Sequence, residues 1–326
     1  MPADKDIIRA VSVLRAGGLV AFPTETVYGL GADASNATAV RKIFEVKGRP
    51  ATHPLIVHLA DAVQLSNWAR EVPEHARKLA RRFWPGPLTV ILRRARGVSD
   101  IVTGGQDTVA LRVPSHPLAL QLLARFGRGI AAPSANRHGR VSATTAEHVR
   151  REFGAAVDYV LDGGATQIGI ESTIIDCSGA GATLLRPGWI TRREIEAALG
   201  VSLAAPPADA PRAPGTLAAH YAPRTPLALV EGERAAELAG EQARRGRRVA
   251  VLALSARRPP LEGLEWIAAP RDAAGYAHAL YASLRRLDDS GCETIIVEQP
   301  PRSPEWAAIN DRLARAAAGS AAPDDI

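Results

Sequence analysis

PLTVILRR (87–94), DTVALRVP (107–114), HPLALQLLARF (116–126) and GIAAP (129–133) stand close together and decide the fold. The first two are apolar runs bounded by proline and charge, the pattern of strands. A helix and a short buried strand follow. Towards the N-terminus, Ile7, Ile8, Val11 and Leu14 give residues 4–16 a helical period that Gly17 and Gly18 end. GLVAFP (18–23) and PLIVHL (54–59) read as strands, 38–46 as a helix, and 61–83 as helical pieces interrupted at Pro73. Towards the C-terminus come a helix at 144–153, a strand in VDYVLDGG (157–164), a β-pair from STIIDC (172–177) and TLLRPG (183–188), and a helix at 191–199. This is a mixed α/β domain with many strands, not a clean βαβ repeat.

Residues 200–226 hold six prolines and no periodicity, and read as a linker. Beyond it, LALVEG (227–232), RVAVLAL (248–254) and TIIVEQP (294–300) alternate with helices at 233–245, 273–288 and 304–317. That alternation predicts a small Rossmann-like α/β/α domain with a parallel sheet. It has no G-x-G-x-x-G turn, which argues against a dinucleotide there. The expected division is 1–199, a linker at 200–226, and 227–326.

The chain has 326 residues, too many for one ordinary core. A hydrophobic fraction of 46% and a charged fraction of 23% exclude disordered and fibrous classes. No apolar run reaches the roughly 18–20 residues of a membrane span. The N-terminus shows no apolar stretch of a secretory signal. Cys177 and Cys292, 115 positions apart, form neither a disulfide framework nor a metal-ligand spacing. Together these predict a cytoplasmic protein without membrane contact. Residues 1–200 carry 25 Lys and Arg against 18 Asp and Glu, a balance of +7; residues 201–326 balance at −1. The basic part is suited to an anion, although 36 Arg beside four Lys also reflects coding bias.

Polar clusters stand at strand ends. PTETVYGLGAD (23–33) reads as a loop with Thr24, Glu25, Thr26 and Tyr28, where Gly29 and Gly31 permit close backbone approach. In KGRPATHP (47–54), Lys47 and Arg49 are two apart; in an extended segment both would aim at one polyphosphate. In APSANRHGRVS (132–142), Ser134 and Asn136 repeat that spacing, as phosphate or ribose donors or as a simple turn. Thr108 and Arg112 share a strand face, Ser172 precedes a strand, Arg186 ends one, and HYAP places His220 and Tyr221 in the linker. No P-loop, H-E-x-x-H or C-x-x-C motif occurs.

In this order, PTETVYGLG, the K-x-R of KGRP, WPGPLT (84–89), the S-x-N of APSAN, and ESTII with LLRPG resemble the YrdC/Sua-type L-threonylcarbamoyladenylate synthases over about residues 5–199. The linker and second domain point to the long, two-domain form. The resemblance implies a reaction of L-threonine, bicarbonate and ATP to L-threonylcarbamoyl-AMP and diphosphate, used to modify tRNA. It places L-threonine on Thr26, His58, Arg112, Ala132 and Ser172. It places ATP on Arg49, His53, Thr108, Ser134, Ser142, Arg186 and Tyr221, with Lys47 and Asn136 beside the phosphates. Lys47, Arg49, Ser134 and Asn136 are the expected catalytic set. His53 stands where many members have Asn. Magnesium is expected to arrive on ATP, with no protein metal cage. The linker is expected to fold over the first domain as a lid carrying Tyr221. Downstream tRNA threonylcarbamoyl-transferase proteins and weak tRNA binding are the implied partners. The competing reading is a double-stranded RNA or tRNA-binding module without adenylate chemistry, held by phosphate neutralisation.

Overall fold

The computed structural model describes residues 4–320. The chain divides into two units. One runs through His138 and resumes over Ala143–Thr216; the other combines Gly139–Ser142 with the chain from Leu217 onward.

The first unit contains helices α1 (Asp4–Arg15), α2 (Ala37–Lys47), α3 (Leu65–Trp68), α4 (Glu74–Phe83), α5 (Asp100–Thr103), α6 (Pro117–Phe126), α7 (Ala146–Phe153) and α8 (Arg192–Leu199). Its strands are β1 (Val20–Phe22), β2 (Gly29–Asp33), β3 (Ile56–His58), β4 (Leu88–Arg93), β5 (Thr108–Arg112), β6 (Ile130–Ala131), β7 (Tyr159–Val160), β8 (Thr173–Asp176) and β9 (Thr183–Arg186). They form one sheet in the order β7-β1-β2-β6-β3-β5-β4-β8-β9, with parallel and antiparallel neighbours. The predicted mixed sheet is therefore present.

Strand alternation sorts its residues into two layers. Ala21, Val57, Val90, Leu111 and Ile175 face one core with Val40, Ile43, Leu79, Val149 and Ile195 from α2, α4, α7 and α8. Val20, Phe22 and Ile130 face the opposite way, against Ile7 and Leu14 of α1 and Leu118 and Leu122 of α6. On that same opposite face, Ile56, Ile91, Ala110 and Ile174 meet Ala213. The start of the proline-rich segment thus packs on the first unit, in line with the expectation that it folds over that domain. Ala213 packs on that surface, and Arg212 fixes the segment by donating to the Gly104 carbonyl (2.9 Å). The boundary falls after Thr216, inside the expected linker.

GLGAD, expected as a loop, is the inner strand β2. Its glycines hide the strand in the sequence yet suit its position. A Cβ on Gly31 would come within 2.7 Å of Ile130 and 2.8 Å of Phe22.

The second unit contains β10 (Leu227–Val230), α9 (Gly232–Arg244), β11 (Val249–Ala253), β12 (Leu264–Ala268), α10 (Ala273–Asp288), β13 (Thr294–Glu298) and α11 (Ala307–Ala318). The sheet order is β10-β13-β11-β12, parallel throughout. β12 is an addition to the predicted strands. Gly139–Ser142 joins this unit through Arg285, which donates to the carbonyls of Val141 (2.5 Å) and Ser142 (3.2 Å), and through Ala222 N on Gly139 O (2.8 Å).

Candidate active site

Period-two geometry gathers the first cluster. His58 on β3, Thr108 and Arg112 on β5, and Thr89 on β4 alternate with Ile56, Ala110 and Ile91, so they share one sheet face. Ser172 and Ala132, just beyond β8 and β6, continue the row, and the register sets His58 opposite Arg112. Six positions scattered over 115 residues of sequence thus become neighbours on one surface.

Each is held by a specific contact. Arg112 forms a buried ion pair with Glu25 (2.8 Å), the two side chains being 4% and 2% exposed. Burying two charges is favourable only when both are well bonded. Glu25 also accepts from Ser115 N (3.1 Å), and Arg112 Nε donates to Gly86 O (3.3 Å). Thr24 donates its hydroxyl proton to Val27 O (2.7 Å). In its 2.8 Å contact with Thr26 the donor is then Thr26, whose lone pairs face away from that bond. Ser172 Oγ lies 2.8 Å from Thr89 Oγ1, and Arg186 donates to Ser172 O (2.8 Å) and Oγ (3.2 Å). A Cβ on Gly188 would stand 2.3 Å from Thr173 N, so glycine is required for LLRPG to approach ESTII. Burial, with the Arg112 charge adding to it, pushes His58 down to about 3. The imidazole is neutral, and its buried Nδ1 has no hydrogen-bond partner among the described residues.

The second cluster joins the first through backbone. Ala135 N donates to Tyr28 O (2.7 Å) and Leu30 N to Pro133 O (2.8 Å), tying the S-x-N loop to the threonine-rich loop. Lys47 is the last residue of α2, and Gly48 (φ 61°) turns the chain into the left-handed region. The K-x-R segment is therefore a helix terminus, not the extended pair expected. Lys47 Nζ donates to Ser134 O (2.6 Å) and to Asn136 O, while Lys47 O accepts from His138 N (2.8 Å). Burial and the Arg49 charge push the Lys47 amine well below its ordinary value, against the pull of Glu152. Either protonation state supplies donors for both carbonyls. Arg49 is buried and donates to Pro54 O (3.0 Å). His53 packs edge-on to His138, ring centroids 5.3 Å apart. His138, absent from the expected set, belongs to this cluster; a lone histidine in a turn carries no spacing signal.

Arg186 reaches further, donating to Pro214 O (2.8 Å). Ser142 and Tyr221 belong to the second unit. Its ring is buried against His220 (4.2 Å), Tyr281 (5.8 Å) and the Arg312 guanidinium (5.2 Å). Tyr221 adopts φ 61°, a strained backbone for a bulky residue. No group of three His, Cys, Asp or Glu among the described residues could hold a metal. No helix of the described residues is long and apolar enough to cross a membrane.

Known proteins resemble this chain over nearly its whole length. The Sua5/YciO/YrdC family, described as "Telomere recombination", matches residues 12–188, and the "Threonylcarbamoyl-AMP synthase, C-terminal domain" matches 190–318. The threonylcarbamoyl-AMP synthase of Bacillus subtilis is 44% identical, the match covering 97% of this chain and 94% of that protein. Among solved structures, Pyrococcus abyssi Sua5 complexed with L-threonine superposes with a TM-score of 0.91 at 40% identity, covering 98% of this chain and 96% of that one. A P. abyssi Sua5 variant with an adjacent His and Tyr changed to Ala gives 0.90 at 40% identity, covering 96% and 93%. The chain belongs to the Sua5/YciO/YrdC family of threonylcarbamoyl-AMP synthases, in its two-domain form.

Proposed function

We propose that this protein converts L-threonine, bicarbonate and ATP to L-threonylcarbamoyl-AMP, diphosphate and water, supplying a tRNA-modifying transferase in the cytoplasm. The observation that carries the reading is the row on one sheet face: Ala132, His58, Arg112 and Ser172, with Thr26 beside them. An RNA-binding surface needs exposed cations, whereas this row is buried. The row suits an amino acid. Arg112 offers a planar fork to its carboxylate, and the Thr26 and Ser172 hydroxyls suit its polar groups. Neutral His58 can bond without adding charge.

In this reading the threonine amine is first carboxylated, losing water. A carbamate oxygen then attacks the ATP α-phosphorus, and the bond to the β-phosphate oxygen breaks. Arg49, Ser134 and the Lys47-braced loop hold the phosphates, with Mg²⁺ entering on ATP oxygens. Little proton transfer by side chains is needed, so positioning and charge stabilisation supply most of the rate. Tyr221 closes the nucleotide site in this proposal. Its strained backbone supports a functional role, and His220-Tyr221 is the only His-Tyr step in the chain. Weak binding of tRNA through the basic first part remains compatible with it.

The test is incubation with ATP, L-threonine, bicarbonate and Mg²⁺, followed by mass analysis for the acyl-adenylate. The expected product forms only when threonine and bicarbonate are both present. Salt-sensitive RNA binding with no adenylate would favour the binding module instead.

A further inference from the structure

The S-x-N loop is closed on Lys47 from both ends of that residue. The Lys47 amine donates to the carbonyls of Ser134 and Asn136, and its carbonyl accepts from His138 N. At 3% exposure, the side chain that sequence spacing assigned to phosphate is engaged in bracing the loop. The groups that surround this brace are the Arg49 guanidinium and the imidazoles of His53 and His138. The two rings are half-buried, 5.3 Å apart and inclined at 61°. They come from different segments, the turn after α2 and the loop after β6, so their meeting is a product of the fold.

We propose that His138 is an ATP-binding residue which, paired with His53, bonds the β- and γ-phosphates that leave as diphosphate. The pair takes up a proton from solvent as the triphosphate arrives and returns it when diphosphate leaves. This rests on the adenylate-forming reading above.

The electrostatics support the geometry. Burial, Arg49, His53 and Lys47 push His138 down to about 4; burial, Arg49 and Arg212 push His53 down. Glu152 is the acidic group acting on Lys47, and it accepts from Arg137 N (3.0 Å). The pair is therefore neutral at pH 7 without ligand, held so first by burial and further by the neighbouring cations. A polyphosphate neutralises those cations and makes the imidazolium favourable.

The experiment is calorimetric titration of the full chain with Mg·ATP at pH 7, in two buffers of different ionisation enthalpy. Wild type should bind with net proton uptake. His138→Gln keeps a donor but cannot take the proton, so its uptake should fall while the protein still binds ATP. His138→Ala should raise the KM for ATP about tenfold, the size of one charge-assisted hydrogen bond, leaving the KM for threonine unchanged. Should a variant not fold, ring-proton NMR of wild type decides: the His138 titration must move towards neutral pH when ATP is added. Unchanged proton uptake in His138→Gln, or a His138 titration indifferent to ATP, overturns the proposal. Wild type that binds ATP yet makes no acyl-adenylate would defeat the functional reading alone, because the proton count does not depend on turnover.

Discussion

Glu25 and Glu298 are both 2% exposed, both follow or end a strand, and serve opposite ends. Glu25 faces a guanidinium, so the first unit keeps a buried Arg112 with hydrogen-bond donors beyond those the carboxylate uses. Glu298, at the end of β13, accepts from the backbone amides of Leu254 (2.7 Å), Ser255 (2.8 Å) and Ala256 (2.9 Å), and from the Ser255 hydroxyl. Open parallel sheets bind ligands at the carboxyl ends of their strands, often an anion on convergent amides. In the second unit the protein's own carboxylate occupies those amides. An open parallel sheet is therefore no sign of a nucleotide site here, and the proposed chemistry uses the less regular sheet.

The largest effect should come from the first unit's cations. Arg49→Ala is expected to lower turnover by at least ~10²-fold, as for loss of a preorganised charge donor. It should cost only about 1 kcal/mol of stability for the bond to Pro54 O. Turnover within a few-fold of wild type would remove Arg49 from the mechanism. Glu298→Ala should show the reverse: about 2 kcal/mol of stability lost, from bonds to a charged acceptor. Urea unfolding followed through Trp266 and Trp306 reads that loss. Adenylate formation by the folded variant should stay near wild type, and a large loss of activity without a loss of stability would break the contrast.

Sequence periodicity located the helices well because their apolar faces are local: Ile7, Val11 and Leu14 of α1 are buried as their spacing required, whereas Ile8, read with them, is exposed. It failed where the fold supplied the reason. β2 was hidden because its glycines answer to Phe22 and Ile130, neighbours that only pairing creates. Lys47 and Arg49 looked extended because the pair was read by its spacing alone, although Gly48, just past the helix predicted at 38–46, was the signal of a left-handed helix end. Thr26, Arg112 and Ser172 were legible as motif residues. The Glu25–Arg112 pair, 87 positions apart, was not, although a glutamate after an apolar strand was the available signal. Ala213 reads as linker filler until the apolar face of Ile56, Ile91, Ala110 and Ile174 is known.

Acid should separate the two units. An unfolded histidine titrates near 6.5, while His58 is held down to about 3 and His138 to about 4. Between those values the unfolded chain binds the extra proton, so stability rises with pH and is lost on acidification. His58 alone should cost the first unit about 2 kcal/mol at pH 5 relative to pH 8. Glu298 has the opposite origin: its amide and hydroxyl bonds outweigh burial and hold it below its ordinary value. Its contribution is present above the ordinary carboxylate range and is lost only as pH falls through the lower folded value. Urea unfolding at pH 8 and pH 5 should therefore weaken the first unit first, and His58→Gln should flatten that slope. Equal weakening of both units would break the distinction.

The smallest effect expected concerns one hydroxyl. Ser172 Oγ lies between Thr89 Oγ1 at 2.8 Å and the Arg186 guanidinium at 3.2 Å. Arg186 can only donate, so it occupies one lone pair of Ser172, and Thr89 fixes one of the two remaining directions, leaving the other for the ligand. Thr89→Val keeps the shape of a fully buried side chain and removes only this second restraint. Ser172 then loses a set orientation but none of its own atoms. The KM for threonine should rise five- to tenfold, about 1 kcal/mol and the net worth of one hydrogen bond. The KM for ATP should not move. In a double-mutant cycle with Ser172→Ala the two losses should fall short of additive, because the second change removes what the first disturbed. Strict additivity would mean that Thr89 acts on threonine by another route, and that the buried hydroxyl pair supports the sheet without serving the site.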